Sequence, residues 1–223
     1  RPSAMLLVLA MATSCMRVED HYTVSVNLIR SPPERKGTVV GSIGVSKAVR
    51  GFHRYTLVAR EVSTNEKLTF YFTPNAPYGE QIDFREARFD ASVFAFEIPD
   101  GRYEISNFEL LAIGLYGATR TLSARNDFSI PFDIKAGQTT YLGEFIAVNV
   151  LGRNFLGMQV VAGSYWEVSD QQARDIAVAR QQLSEAKFDS IISAVPDPDM
   201  LGLPFFARPG KVPSRQGEAA SSP

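Results

Sequence analysis

The sequence predicts a mainly β protein, an antiparallel β-sandwich followed by one C-terminal helix and a disordered tail. Three observations lead there. From Tyr22 onward apolar residues recur with a period of two, the repeat of a strand that buries one face. Clusters of Pro, Gly and Asn separate these runs and supply the turns. One helix signature appears, near residue 170, and six of the 13 prolines fall in the 28 residues that end the chain.

At 223 residues and 24.6 kDa the chain suits one domain, and a 45% hydrophobic composition is enough for a sizeable core. Lys and Arg number 23 against 24 for Asp and Glu. That balance, with no basic block, leaves no electrostatic footprint for nucleic acid and no polybasic patch for anionic lipid. A single cysteine rules out an internal disulfide.

The strands follow in order over 22–168. Val24, Val26 and Leu28 alternate with Thr23, Ser25 and Asn27. Thr38 to Ser46 and Tyr55 to Val62 are β-branched-rich runs separated by Gly51. Leu68, Phe70 and Phe72 alternate with Thr69 and Tyr71 and stop at Pro74-Asn75-Ala76-Pro77. Phe94, Phe96 and Ile98 run into Pro99-Asp100-Gly101, where proline presets φ and glycine tolerates the turn. Tyr103 and Ile105 resume beyond it. Phe128, Ile130, Phe132 and Ile134 form the clearest alternation. Pro131 in its midst has no N–H for a ladder, which predicts a sheet edge or a bulge. Ala136-Gly137 turns the chain into Tyr141 to Val150, and Leu156 to Trp166 reads as a further strand.

The helix is expected over 169–187. Ser169 and Gln172 form a capping box, Asp170 suits the positive end of the helix dipole, and Ala173, Ile176 and Leu183 fall near one face. The proline-rich tail, 188–223, reads as loosely ordered, with Leu201, Leu203, Phe205 and Phe206 as a sticky exception expected to dock on the body.

Ala4 to Ala12 is an uninterrupted apolar run behind Arg1, far shorter than the roughly 20 residues of a membrane span and matching a secretory h-region. Thr13 and Ser14 are small, and Cys15 follows. This segment resembles the lipobox of bacterial lipoproteins, in which cleavage between a small residue and cysteine precedes lipidation. Ala12 stands where leucine is usual. The resemblance implies a signal peptide over 1–14, cleavage between Ser14 and Cys15, lipidation of Cys15 and a tether over 15–21. A thioether-linked diacylglyceryl group with N-acylation would supply the two signals stable anchoring needs. Met16, in place of aspartate, implies by the same resemblance the outer membrane, with the domain facing the periplasm.

Ile98-Pro99-Asp100-Gly101-Arg102-Tyr103, then Phe128 to Ile134, Ala136-Gly137 and Tyr141-Leu142-Gly143, resemble bacterial lipoproteins carrying transthyretin-like (prealbumin-like) or carboxypeptidase-regulatory-like sandwich modules. The likeness covers about a quarter of the chain. It implies an immunoglobulin-like sandwich and a non-catalytic envelope module, with no catalytic residue to carry over.

Chemistry-bearing patterns are sparse. Only His21 and His53 could act as imidazole bases, and no Gly-x-Ser-x-Gly elbow accompanies them. Two distant histidines and one cysteine make a poor zinc set. Asp197-Pro198-Asp199 lacks the spaced oxygens of a calcium loop and reads as a turn. Gly37 to Gly44 does not continue into Lys-Ser/Thr and reads as a strand, not a phosphate loop. Tyr165-Trp166 is the one candidate ligand-binding patch, a platform for sugar rings. No catalytic residue, metal or cofactor is assigned.

The expected function is therefore a non-catalytic envelope structural or interaction module, held to the membrane through Cys15 and serving an envelope protein partner. The alternatives are an envelope carbohydrate-binding module or glycan hydrolase, and a secreted protein without lipid.

Overall fold

The computed structural model describes residues 22–24, 28, 31–49, 51–74, 82–114, 117–183 and 188–213. Cys15, Ser14, His21, the expected signal peptide and the tether lie outside them.

Two sheets face each other. The first holds β1 (Tyr22–Val24), β3 (Arg54–Glu61), β4 (Lys67–Phe72), β7 (Gly101–Ile113), β8 (Thr119–Ser123) and β9 (Ile130–Ile134), in the order β1-β4-β3-β7-β8, with β9 also on β7. The second holds β2 (Lys36–Ser46), β5 (Phe84–Arg85), β6 (Phe89–Pro99), β10 (Thr139–Arg153), β11 (Gln159–Ser169), β12 (Ile191–Ser193) and β13 (Phe206–Ala207), in the order β13-β11-β10-β2-β6-β5, with β12 on β10. This is a β-sandwich. The core between the sheets is phenylalanine-rich: Phe70 stacks on Phe94 with ring centroids 4.4 Å apart, and Tyr103 on Phe132 at 5.6 Å.

The period-two reading holds best for β9, whose burial alternates at every residue. Pro131 lies exposed on that strand, which pairs only with β7 and so needs no donor on its outer side. Pro99-Asp100-Gly101 makes a sharp turn too, yet it passes the chain from the second sheet to the first, so it is a corner and not a hairpin. Val24 ends β1, and Leu28 is buried with helical backbone.

The second sheet is not wholly antiparallel. β10 runs parallel to β2 and β12, and β11 runs parallel to β13, against the expectation of uniform antiparallel pairing. The cause lies in burial. Helix α1 (Gln172–Gln182) covers the outer face of this sheet, so β2 is buried on both sides from Gly37 to Val45, the usual habit of parallel strands. Val39, Ile43 and Val45 point into the sandwich, while Val40 faces Ile176, Ala179 and Tyr141 beneath the helix. The glycines of Gly37 to Gly44 belong to this packing. A Cβ on Gly41 would sit 2.5 Å from Phe94 Cζ and 2.9 Å from the Gly143 carbonyl oxygen.

Helix α1 is shorter than the expected 169–187, and 184–187 lie outside the described residues. Its buried stripe is Asp175, Ile176 and Ala179, with Ala173 exposed. The capping box does not form. The Ser169 hydroxyl donates to Glu144 (2.8 Å), and Asp170 accepts the Gln172 amide in its place (2.9 Å).

The expectation of a disordered tail over 188–223 is corrected as far as Pro213. β12 and β13 add to the exposed edge of the second sheet, while α2 (Pro198–Leu201) opens with Asp197 accepting the Asp199 amide and closes at Gly202 in the left-handed region. The apolar exception docks as expected. Phe206 is buried, Phe205 meets Phe108 edge-on at 5.2 Å, and Leu201 and Leu203 pack against the same core. Aromatic burial outweighs the disorder that proline and serine favour. Residues 214–223 lie outside the described chain.

Candidate functional site

The densest polar chemistry lies in the seam between α1 and the second sheet. β10 prepares it. Gly143 takes a φ of +105°, open to glycine and costly to other residues, and inserts one extra residue between Tyr141 and Glu144 in the ladder with β2. Strict alternation would send Tyr141 and Glu144 to opposite faces. The bulge turns both toward the helix and leaves Leu142 and Phe145 in the core.

Asp175, fully buried on α1, gathers these groups. Its carboxylate accepts from Ser42 Oγ on β2 (2.6 Å), from the Tyr141 hydroxyl (2.9 Å), and from Arg174 Nε (2.9 Å) and Nη2 (2.7 Å). Arg174 Nη2 also donates to Glu144 (2.7 Å), and its guanidinium lies 3.8 Å from the Phe84 ring centroid. The Tyr141 oxygen accepts the Gln171 amide at the helix start (3.0 Å). Burial pushes the Asp175 carboxyl up despite the hydrogen bonds and the Arg174 charge that oppose it. Burial, and then the nearby Asp175 charge, push the Tyr141 hydroxyl up as well. Ser42 donates to a carboxylate and faces no imidazole. The arrangement is a closed circuit that pins a helix to a sheet.

Three surface depressions lie apart from this seam. A cavity of about 170 Å³ is lined by Lys47, Phe52, His53, Tyr55 and Asp90. His53 is exposed there, and its Nδ1 accepts the Ile113 amide (3.0 Å), while Lys47 pairs with Asp90 (2.9 Å). A groove of about 320 Å³ runs along the tail, where Asp197 and Asp199 are held by Arg208 at 2.9 and 2.7 Å. A third, of about 210 Å³, crosses the open face of the first sheet, with Arg54 over the Tyr71 ring at 5.0 Å.

The sugar platform expected at Tyr165-Trp166 is overturned. As neighbours on β11 they point to opposite faces, and Trp166 has no exposed surface because it fills the sandwich core. Tyr165 is half-buried, and burial followed by the Glu167 charge raises its hydroxyl pKa. Asp197 and Asp199 serve a helix cap and an arginine pair, in keeping with the turn reading. Among the described residues no cluster of His, Cys, Asp and Glu is arranged to hold a metal ion. Among them, too, no helix is long and apolar enough to cross a membrane.

Sequence reasoning did not find Arg174 and Asp175, which look like an ordinary solvated helix face. The one local signal was Gly143-Glu144 set inside the apolar run of β10.

No family model and no curated protein matches the chain. Among solved structures, a leucine-rich repeat protein from Bacteroides thetaiotaomicron is 11% identical over 51% of this chain, with a TM-score of 0.28. The chain spans 14% of that protein's length. A likeness so slight carries no argument about fold or function.

Proposed function

We propose that the chain is a non-catalytic interaction module of the bacterial envelope, anchored to the outer membrane through lipidated Cys15 and presenting its sandwich to an envelope partner. One observation carries the non-catalytic part. The charged and hydroxyl groups of the helix–sheet seam are bonded to one another, with Asp175 accepting from Ser42, Tyr141 and Arg174 at once. A nucleophile held by a buried carboxylate and an arginine, with no imidazole beside it, is a fastener and not a reaction centre. The anchor is supported by the run Ala4 to Ala12 ahead of Thr13-Ser14-Cys15. The open face of the first sheet, where Thr23, Arg54, Tyr71 and Glu109 line a shallow polar depression, is suited to a protein partner.

Metabolic labelling with an alkyne fatty acid tests the anchor. Label on the protein that disappears in Cys15→Ala supports it, and an unlabelled native protein overturns it. Mild crosslinking in intact envelopes tests the partner, and recovery of the protein uncrosslinked counts against an interaction role.

A further inference from the structure

The hairpin of β10 and β11 outruns the sheet that bears it. β2 accompanies β10 only as far as Ala147, and the two strands continue alone to a tip at Asn154–Met158. The base is fixed. Asn149 donates to the Val49 carbonyl and the Tyr55 hydroxyl (both 2.7 Å) and accepts from Ser164 (2.5 Å). A register shift follows at Val150, and the three strand residues beyond it, Leu151 to Arg153, carry the arm about 10 Å further before the turn.

This arm is apolar and faces solvent. Phe155 is 95% exposed, Leu156 65% and Met158 55%. Large side chains so exposed on one projecting tip mark a contact surface. Two further observations say what kind. Between Glu144 and Glu167 the sequence has no carboxylate, and Arg153 is the sole charge. The tip also bonds four of its five backbone amides internally: Asn154 Oδ1 accepts from the Leu156 and Met158 amides (3.0 Å each), the Asn154 amide donates to the Met158 carbonyl (3.0 Å), and the Gly157 amide donates to the Asn154 carbonyl (2.9 Å). A turn that satisfies most of its amides internally leaves water at lower cost than an open loop, which suits the polar–apolar boundary of a bilayer.

We propose that this tip is a membrane contact, with Phe155, Leu156 and Met158 seated at the headgroup–acyl boundary of a lipid bilayer and Arg153 level with the phosphates. A convex tip needs no matching pocket from fluid acyl chains, and a long arginine side chain reaches the headgroups while its stem stays apolar. The contact does not depend on the Cys15 anchor. With that anchor it would fix the orientation of the sandwich on the membrane.

The test uses the full chain carrying Phe155→Trp and vesicles of phosphatidylethanolamine with phosphatidylglycerol, prepared with and without brominated acyl chains. Emission from position 155 should fall roughly twofold on brominated vesicles, as expected of a group seated about 5–10 Å into the boundary. The native chain, whose only tryptophan fills the core, controls for Trp166. Emission insensitive to bromine overturns the proposal, whether the protein reaches the vesicle by another segment or does not bind. In a Cys15→Ala chain, replacing Phe155, Leu156 and Met158 with serine should lower vesicle co-sedimentation roughly tenfold. Unchanged co-sedimentation overturns the proposal, as does a concentration-dependent dimer that the triple variant abolishes while bromine leaves emission intact. Failure of the anchor is read separately, from fatty-acid labelling at Cys15.

Discussion

The Tyr141 hydroxyl donates to the Asp175 carboxylate across 2.9 Å, joining the middle of the second sheet to the first turn of its covering helix. The same oxygen accepts the Gln171 amide, so one side chain both caps the helix and holds its buried charge.

Asp175→Ala should therefore cost about 3–5 kcal/mol, because the Ser42 and Tyr141 hydroxyls lose their buried acceptor and the half-buried Arg174 is left with Glu144 alone. Asp175→Asn keeps the shape and part of the bonding and should cost less. Urea unfolding measures both. Loss of hydrogen-exchange protection in 172–182, ahead of the sheets, would locate the damage. An Asp175→Ala protein as stable as the native one would show that the circuit adds nothing.

Gly143→Ala should destabilise by about 1–3 kcal/mol, the range for backbone forced into a sparsely populated region. The new methyl would also stand 3.1 Å from Val195 Cγ1. If the bulge aims Glu144 at Arg174, a double-mutant cycle of Gly143→Ala with Glu144→Gln will show coupling. Simple additivity would mean that bulge and ion pair are independent.

Glu104 gives a pH dependence. The Ser129 hydroxyl (2.5 Å) and then Arg60 (2.7 Å) hold its carboxyl below the usual carboxylate range, against some burial. A depressed folded pKa means the unfolded chain binds the proton more readily. The stabilisation is then complete above the ordinary value of 4.5 and is lost as pH falls through the lower folded value. The slope of Tm against pH in that acid window should flatten in Glu104→Gln and stay unchanged near neutrality. Equal slopes in both proteins would remove Glu104 from the account.

Phe206→Ala should cost about 3–5 kcal/mol, the range for a buried phenylalanine. Its ring is buried and meets Phe128 at 5.5 Å, joining the tail to the first sheet. Unfolding by urea at unchanged m-value tests this. A loss under 1 kcal/mol would mark the tail as a passenger.

The parts of this fold that can be read from sequence are those with a local cause. Pro131 in β9 announces an edge because a missing N–H is a property of one residue. The four apolar residues of the tail announce docking because the stretch around them is polar and rich in proline. Pairing partners leave no such mark. β2 and β10 are dense apolar runs, which hints at strands covered on both faces, but nothing near either strand says that they lie side by side and parallel. Trp166 shows how parity decides exposure. It shares a face of β11 with Val168, so it belongs to the core, while Tyr165 turns the other way. Ser169 has the spacing to Gln172 of a helix cap, yet its hydroxyl donates its hydrogen bond to Glu144, from a strand 25 residues earlier. The seam went unread for the same reason, since Ser42 and Asp175 are 133 residues apart.

The parallel register of β2 on β10 also governs when this protein acquires its structure. Closing so long a loop must precede any reward from the contacts it brings, which places the chain among slow folders of the millisecond-to-second class. A nascent chain that has reached only β7 can pair Val39 to Val45 with β6 on one edge, while the other edge awaits β10. The docking of Phe206 beside Trp166 waits longer still, for the segment beyond β12. Until then the open strand edges of the second sheet are the surfaces most exposed to mispairing.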